Sequence, residues 1–160
     1  MSRARVFIVS ALVVAIAGCG WVEGWFGNGA GVRTRTITFQ ADGYINHGLL
    51  LPIDIIYVAD ASQLGRLATV GPKSWFSSPL RDKWLARQSL GILSGQKITV
   101  RLVPALLARS RFVVIFASFM GVEDPRVQEV VLDNQAREHE VILVHPHSLE
   151  PLNPLLKALP

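Results

Sequence analysis

Polar residues alternate with β-branched or aromatic residues along two early stretches of the chain, 33–40 and 51–58. This alternation is typical of strands that bury one face. In the second stretch the face shared by alternate residues consists of Ile53, Ile55 and Tyr57. Pro52 suits the start or the edge of a strand, because proline has no backbone N–H to donate. We therefore predict two strands here.

The chain is rich in strand patterns again after residue 90. The stretches 92–93, 97–103, 112–119, 127–132 and 140–145 are short, apolar and β-branched, and they are separated by turn residues such as Ser94-Gly95-Gln96, Gly121 and Pro125. Strands at this spacing predict a mainly β protein built as an antiparallel β-sandwich.

Helical signals occur in one insertion between the early and the late strands, at about 60–88. Asp60 followed by Gln63 has the form of a capping box, and a short helix through Leu64 and Leu67 is expected after it. Ser78-Pro79 predicts a second helix start, in which Leu80, Trp84 and Gln88 would align.

The length suffices for a single domain. We assign residues 33–147 to the sandwich and its helical insertion. Residues 148–160 contain three prolines and are predicted to form a Pro-rich, loosely packed C-terminal tail.

The N-terminus has the layout of a signal peptide over residues 1–18. Arg3 and Arg5 precede an apolar run of about 11 residues, whereas a membrane-spanning helix needs roughly 20. The run ends in Ile16-Ala17-Gly18-Cys19, which resembles a lipobox. We expect cleavage between Gly18 and Cys19 and attachment of a diacylglycerol and an N-acyl chain to Cys19; an ordinary signal peptide followed by an incidental cysteine is the alternative.

Cys19 is the chain's only cysteine, so no intramolecular disulfide can form. Residues 19–32 are predicted to form a Gly-rich tether, whose aromatic residues either contact the membrane interface or pack on the domain. In lipoproteins of the kind the lipobox resembles, aspartate after the cysteine favours inner-membrane retention. Gly20 therefore points to the outer membrane, with the domain on its periplasmic face.

The formal net charge is +4, and Arg3 and Arg5 lie in the predicted signal peptide. The remaining charges are spread thinly along the sequence. No basic run suggests nucleic-acid binding.

Residues that could carry chemistry are few. His139, His145 and His147 lie close in sequence, but no carboxylate or cysteine ligand stands at matching spacing, and we predict no metal site. Asp54, Asp60 and Asp124 occupy structural positions, namely a strand, a helix cap and a turn. Motifs of nucleophilic, metal-dependent and nucleotide-dependent enzymes are absent from the sequence. We therefore predict no catalytic residues and no small-molecule substrate.

The connection Asp42–Leu51 is the best candidate for a binding site. It contains Tyr44, Ile45, Leu49, Leu50 and Leu51, which is more apolar surface than a solvated turn requires. Such loops mark interaction sites when they are exposed. The alternative is that these side chains fold back over one end of the sandwich.

The order of these elements resembles the outer-membrane lipoprotein of type VI secretion systems, the TssJ family. The resemblance covers nearly the whole chain after the lipobox cysteine. Its elements are the Leu-Pro-Ile-Asp-Ile-Ile-Tyr-Val strand, the capped helix, the Ser94-Gly95-Gln96 turn and the late strand Phe112–Phe119. None of these short motifs is diagnostic alone, and Trp75-Phe76 departs from the family pattern, as expected of a divergent branch or of a related family.

The resemblance implies a transthyretin-like sandwich without catalysis and with no cofactor beyond the lipid. Its role would be to anchor a membrane complex by binding the periplasmic domain of an inner-membrane partner, the TssM component. The family's contact loop follows the first strand. It corresponds here to a partner-binding loop of Asp42, Tyr44, Ile45, Asn46, His47, Leu49, Leu50 and Leu51.

Two other functions remain open from the sequence. One is a pilotin-like lipoprotein that escorts a secretion pore subunit to the outer membrane. The other is a periplasmic sandwich that binds a glycan or a peptide.

Overall fold

The computed structural model describes residues 31–156 and 158–159. The predicted signal peptide, Cys19 and the tether up to residue 30 lie outside the described residues. No helix in the described part of the chain is long and apolar enough to cross a membrane.

In residues 31–156, eight strands form two four-stranded sheets, as expected for a mainly β sandwich. They are β1 (Thr36–Ala41), β2 (Leu51–Val58), β3 (Arg87–Ile92), β4 (Lys97–Arg101), β5 (Phe112–Ala117), β6 (Glu129–Leu132), β7 (His139–Val144) and β8 (Leu149–Pro151). The order is β4-β1-β7-β8 in the first sheet and β3-β2-β5-β6 in the second.

Five of the six strand pairs are antiparallel, and β1 with β7 is the exception. This pair is parallel, with Thr36 opposite His139 and Ala41 opposite Val144. The predicted antiparallel β-sandwich is confirmed, with this one parallel pair, which the sequence did not predict. Period-2 alternation reports which face of a strand is buried and carries no information on its partner's direction.

The main core lies between the two sheets. Its large members include Ile37, Phe39, Ile53, Ile55, Ile115 and Ile142, all fully buried. A second apolar cluster lies between the outer face of the second sheet and the helices, and it includes Ile56, Trp75, Val114 and Phe116. Strands β2 and β5 are therefore buried on both faces, which explains the unbroken apolar run of β5.

The part of the chain that the structure describes also contains three α-helices: α1 (Ala61–Trp75), α2 (Pro79–Lys83) and α3 (Pro104–Leu107). Both predicted caps are confirmed. Asp60 accepts a hydrogen bond from the backbone N–H of Gln63 at 2.8 Å, and Ser78 accepts one from Leu80 at 3.1 Å. Gly71, at φ 66°, interrupts the helical geometry of α1 just before Pro72.

The predicted second helix is wrong in its extent. It was expected to continue to Gln88, but α2 ends at Lys83 and Arg87 already pairs with Ile56 of β2. Residues 87–92 form strand β3 instead, because the backbone groups along the edge of β2 need hydrogen-bond partners.

The C-terminal segment is more integrated than a loosely packed tail. Strand β8 pairs with β7 at the edge of the first sheet, so the sheet extends past residue 147. Leu156 and Leu159 are buried, and the Asn153 amide donates to the carboxylate of Glu140 at 2.9 Å. Pro151 is compatible with a strand because β8 lies at an edge.

The strand directions divide the connections between two ends of the sandwich. One end, which we call the loop pole, consists of residues 42–50, 93–96, 118–128 and 145–148. The opposite end, the tether pole, consists of residues 31–35, 102–111 and 133–138. The described chain enters at the tether pole, and the candidate loop lies at the far end of β1.

Candidate partner-binding surface

The candidate loop contains a tight turn with left-handed backbone conformations. Asn46, His47 and Gly48 have φ angles of 44°, 57° and 78°. The N–H of Gly48 donates to the carbonyl of Ile45 at 2.8 Å, and that of Leu49 donates to Asn46 at 3.0 Å. Left-handed backbone costs energy in a residue other than glycine, although asparagine tolerates it better than most. The turn must therefore be held by its surroundings.

Asn46 supplies that support. It is 2% exposed, and its side-chain oxygen accepts a hydrogen bond from the backbone N–H of Met120 at 2.8 Å. Its amide nitrogen donates to the carbonyl of Leu50 at 3.1 Å, and its backbone N–H donates to Pro146 at 3.2 Å. The side chain of Asn46 thus connects the loop to residues 118–128, and its backbone N–H connects the loop to residues 145–148.

Apolar side chains of the loop anchor it to the core at two points. Ile45 and Leu51 are fully buried, and both belong to the cluster between the sheets. The N–H of Ile45 also donates to the hydroxyl of Ser94 at 3.0 Å. The loop is consequently fastened to the 93–96 turn as well as to the core.

The remaining large apolar side chains of the loop face solvent. Tyr44 is 59% exposed, Leu49 53% and Leu50 54%. Leu93 and Met120, on the two neighbouring connections, are 42% and 52% exposed. We call Tyr44, Leu49, Leu50, Leu93 and Met120 the apolar patch. The hydrogen bonds of Asn46 and Ser94 join the three segments that carry it.

Two carboxylates contact His145, which follows the end of β7. His145 is hydrogen-bonded through Nδ1 to Asp42 and through Nε2 to Glu150, both at 2.9 Å. The hydrogen bond with Asp42 raises the pKa of His145, against the opposing effect of partial burial, and Glu150 raises it further. These contacts connect the start of the loop to β8.

The three clustered histidines of the sequence do not form one site. His139 lies at the start of β7 near the tether pole, where it contacts the Thr36 hydroxyl at 2.8 Å. The His147 ring lies 5.5 Å from the ring of His47 at the loop pole. Within the described residues, no group of three side chains is placed to hold a metal ion.

The carboxylates interpreted as structural occupy structural positions. Asp54 is fully buried and accepts hydrogen bonds from Arg81 Nε at 2.7 Å and from Trp75 Nε1 at 2.8 Å. Burial opposes its ionisation, but hydrogen bonds from Arg81, Ser89 and Trp75 outweigh this effect and lower its pKa. Asp54 therefore fastens the helical insertion to β2. Asp60 caps α1, and Asp124 caps the turn that contains Arg126.

The predicted loop residues thus fall into two groups. Asp42, Tyr44, His47, Leu49 and Leu50 are exposed, whereas Ile45, Asn46 and Leu51 are buried. Both alternatives left open by the sequence apply, each to part of the loop. Leu93 and Met120 were missed, although a large apolar residue beside a turn glycine is a signal for them in Leu93-Ser94-Gly95 and Met120-Gly121. Gly18 and Cys19 lie outside the described residues.

Comparison with known proteins shows similarity in structure only. No family model matches the chain, and no curated protein matches it. Among solved structures, the lipoprotein TssJ1 of the T6SS from Pseudomonas aeruginosa matches with a TM-score of 0.52 and 13% identity, over 79% of this chain and 97% of that one. Serratia marcescens Lip, a membrane-bound component of the type VI secretion system, matches with a TM-score of 0.52 and 11% identity, over 75% and 98%.

A structure described as the C-terminal domain (869–1107) of the T6SS protein TssM from EAEC matches with a TM-score of 0.59 and 17% identity. The match covers 74% of this chain and 96% of the matched chain. The matched chain is therefore shorter than the protein described here, and also shorter than the segment 869–1107 named in its description. A structure described as a type VI membrane complex matches with a TM-score of 0.58 and 18% identity, over 74% and 98%. The chain therefore has a TssJ-like β-sandwich fold.

Proposed function

We propose that this chain is an outer-membrane lipoprotein of a type VI secretion membrane complex. Cys19 carries the acyl chains, and the apolar patch binds the periplasmic domain of an inner-membrane partner of the TssM kind. The task is structural: one end is fixed in a membrane while the other holds a partner. The observation that carries the proposal is the apolar patch at the pole opposite the entry of the chain.

The composition of the patch supports a protein partner. Its five members are apolar or aromatic, and four of them are more than half exposed. Contiguous exposed apolar surface on a small domain marks an interaction site. A few such side chains usually carry most of the energy of an interface.

The way the loop is held supports the same function. Asn46, Ile45 and Leu51 fix the backbone of the loop before any partner arrives. A loop that is already ordered loses less conformational entropy on binding, so more of the contact energy remains as affinity.

The similarity to type VI lipoproteins supports the biological setting. Two of the matched structures are described as lipoproteins or membrane-bound components of this secretion system, and this chain covers 97% and 98% of them. At identities of 11% and 13%, this similarity establishes only the fold. We take the secretion system named in our proposal from these two structures. The lipobox-like Ile16-Ala17-Gly18-Cys19 supplies the anchor that such a lipoprotein needs.

The proposal can be tested by affinity purification from detergent-solubilised membranes of the source bacterium. The variant Tyr44→Ser/Leu49→Ser/Leu50→Ser removes three exposed side chains and leaves the buried Leu51 in place. We expect the native chain to recover an inner-membrane protein with a large periplasmic domain. The amount of partner recovered with the variant should fall at least about tenfold, because hot-spot side chains contribute about 2 kcal/mol or more each.

A matched control is Leu85→Ser/Leu155→Ser, which removes exposed leucines away from the loop pole; they are 89% and 56% exposed. This control should recover the partner normally. Recovery of an outer-membrane pore subunit instead would support the pilotin function. If no membrane protein is recovered, the ligand-binding function remains. If the native chain, the patch variant and the control variant recover the partner equally, the apolar patch is not the binding site.

A further inference from the structure

The tether pole concentrates positive charge that the sequence spreads over separate segments. Six arginines lie there, all of them exposed: Arg33, Arg35, Arg101, Arg109, Arg111 and Arg137. They come from the entry of the chain, from the end of β4 and its connection to β5, and from the connection before β7. The fold brings them to one end, which we call the arginine pole.

Few carboxylates at this end neutralise the arginines. Glu138 pairs with Arg35 at 2.9 Å. Asp133 and Asp60, which follows the end of β2, each accept a hydrogen bond at 2.8 Å from a backbone N–H of their own segment. The other five arginines form no ion pair with a described residue. The arginine pole therefore presents several guanidinium groups that are free to bind an anion.

Four of the six arginines line one open groove of about 790 Å³. These are Arg33, Arg35, Arg101 and Arg137, and the groove also has apolar walls that include Val32, Leu102 and Leu107. Planar guanidinium groups bind phosphate oxygens through paired hydrogen bonds, more specifically than lysine does. Apolar walls beside them suit a ligand that combines phosphate with hydrocarbon.

The position of this groove along the chain indicates its ligand. Arg33 follows Cys19 by 14 positions in the sequence, a distance along the chain that spans at most about 50 Å when fully extended. A membrane that holds Cys19 is therefore present at high effective concentration beside the arginine pole. Each arginine near an anionic membrane surface contributes about a fivefold gain in association.

We propose that the arginine pole binds the phosphate groups of anionic lipid headgroups in the membrane that holds the acylated Cys19. The inference rests on the proposed anchoring through Cys19. The consequence is orientation. The apolar patch lies at the opposite pole, so contact of the arginines with the membrane directs the patch away from that membrane. The patch then faces a partner anchored in the inner membrane.

Dye labelling of the full-length lipoprotein in vesicles tests this orientation. Cys19 is the chain's only cysteine, so once it is acylated a single introduced cysteine can be labelled selectively. Ala105→Cys places a dye at the arginine pole. Gly43→Cys, where a side chain meets no atom within 4 Å, places one at the loop pole. The vesicles carry a headgroup-linked quencher and consist of phosphatidylcholine, with or without phosphatidylglycerol.

We expect stronger quenching at position 105 than at position 43 in vesicles that contain phosphatidylglycerol. High salt should reduce this difference, because it screens exposed charges. The variant Arg33→Gln/Arg101→Gln should abolish the difference. Lys97→Gln/Arg126→Gln removes the same charge at other positions and should preserve it.

The outcomes separate this inference from the proposed function. If the protein fails to float with vesicles of either composition, the Cys19 anchor is wrong, and the orientation built on it is overturned with it. If the protein floats but both dyes are quenched equally in both kinds of vesicle, the arginine pole does not bind lipid headgroups and the anchor still stands. A requirement for Arg33 and Arg101 in partner recovery, with equal quenching, would assign the arginines to the protein partner and also overturn the inference.

Discussion

Leu50 lies against Gly91: a Cβ atom at Gly91 would be 2.8 Å from each Cδ atom of Leu50. Gly91 belongs to β3 and pairs with Pro52 of β2, one residue beyond the buried Leu51. The missing side chain of Gly91 leaves space in which Leu50 rests on the edge of the sheet. The position of one member of the apolar patch thus depends on a glycine outside the loop.

Gly91→Ala should displace Leu50 without disturbing the fold. The φ angle of Gly91 is not in the left-handed region, so alanine is compatible with the backbone. We expect the free energy of unfolding to change by less than about 1 kcal/mol, since glycine in a strand carries an entropic cost that alanine relieves. Recovery of the partner should fall several-fold, measured by the affinity purification described above.

Gly65→Ala is the matched control for this substitution, because no atom lies within 4 Å of a Cβ at that position. It should leave partner recovery unchanged. Normal recovery by Gly91→Ala would mean that the position of Leu50 is unimportant for binding.

Asn46→Ala should loosen the loop and leave the sheets intact. It removes the hydrogen bonds that the Asn46 side chain makes with the N–H of Met120 and the carbonyl of Leu50. A hydrogen bond of this kind contributes about 0.5–1.5 kcal/mol. Hydrogen–deuterium exchange should accelerate at the amides of Leu49 and Met120.

Asn46→Asp separates the two bonds, because aspartate still accepts from Met120 but cannot donate to the carbonyl of Leu50. Protection at Met120 should persist in this variant. Unchanged exchange in Asn46→Ala would show that Ile45 and Leu51 alone hold the loop.

Local features of the fold were predictable from the sequence because neighbouring residues determine them. The caps at Asp60 and Ser78 depend on contacts within three residues. The alternation in 51–58 assigned Ile53, Ile55 and Tyr57 to the core, where they lie. The choice of the 42–51 connection as an apolar loop also needed only its composition.

Features that depend on distant pairing were not predictable in this way. The parallel direction of β1 with β7 is set by contacts about 100 positions apart. Leu50 and Leu51 are equivalent in the sequence, yet Leu50 is 54% exposed and Leu51 is fully buried, because Leu51 starts β2 and faces the opposite sheet. The six arginines appear scattered until the alternating connections bring them to one pole.

Asp54→Asn should destabilise the junction between the helical insertion and β2. The buried carboxylate of Asp54 accepts hydrogen bonds from Arg81 and Trp75, and an amide leaves the charge of Arg81 uncompensated. Removing one partner of a buried ion pair costs about 3–5 kcal/mol, and the partial exposure of Arg81 reduces this to roughly 2–4 kcal/mol. Urea unfolding, followed by the fluorescence of the buried Trp75 and Trp84, measures it.

Asp124→Asn is the control for the buried ion pair, because Asp124 forms an exposed pair with Arg126. Water screens exposed pairs, so Asp124→Asn should change the free energy of unfolding far less than Asp54→Asn. Equal effects of the two substitutions would contradict the structural role given to Asp54.

His145 should make stability fall as pH rises. Its pKa is raised above its ordinary value of 6.5, chiefly by the hydrogen bond with Asp42. The stabilisation is therefore fully present below pH about 6.5 and is lost as the pH passes through the raised pKa of the folded state. His145→Gln should reduce this decline by a few tenths of a kcal/mol, measured by urea unfolding between pH 6 and 9.

His139→Gln, at the other end of β7, is the control for His145 and should retain the decline. An identical pH profile for His145→Gln and the native protein would show that the contacts with Asp42 and Glu150 do not depend on protonation.

Glu129 should also make stability fall as pH rises, over a lower range. Its side chain is 5% exposed, and the only hydrogen bond described for it is from the backbone N–H of Leu159, at 2.9 Å. Burial raises its pKa from 4.5 to about 7, and the charge of Asp124 adds to the effect. Between these values the unfolded chain releases the proton while the folded chain retains it, so the free energy of unfolding decreases and reaches its lower level above pH 7.

Glu129→Gln should remove this dependence, because glutamine stays neutral and its carbonyl can still accept from Leu159. The variant should approach the stability of the native protein near pH 4.5 and exceed it at pH 8 by at most about 3 kcal/mol. The contribution of His145 is common to both proteins and cancels in the comparison. Glu123→Gln, at an exposed position paired with Lys73, should leave the native profile unchanged. If Glu129→Gln and the native protein lose stability equally between pH 5 and 8, Glu129 is ionised in the folded chain, and its hydrogen bond with Leu159 does not depend on the proton of the carboxyl group.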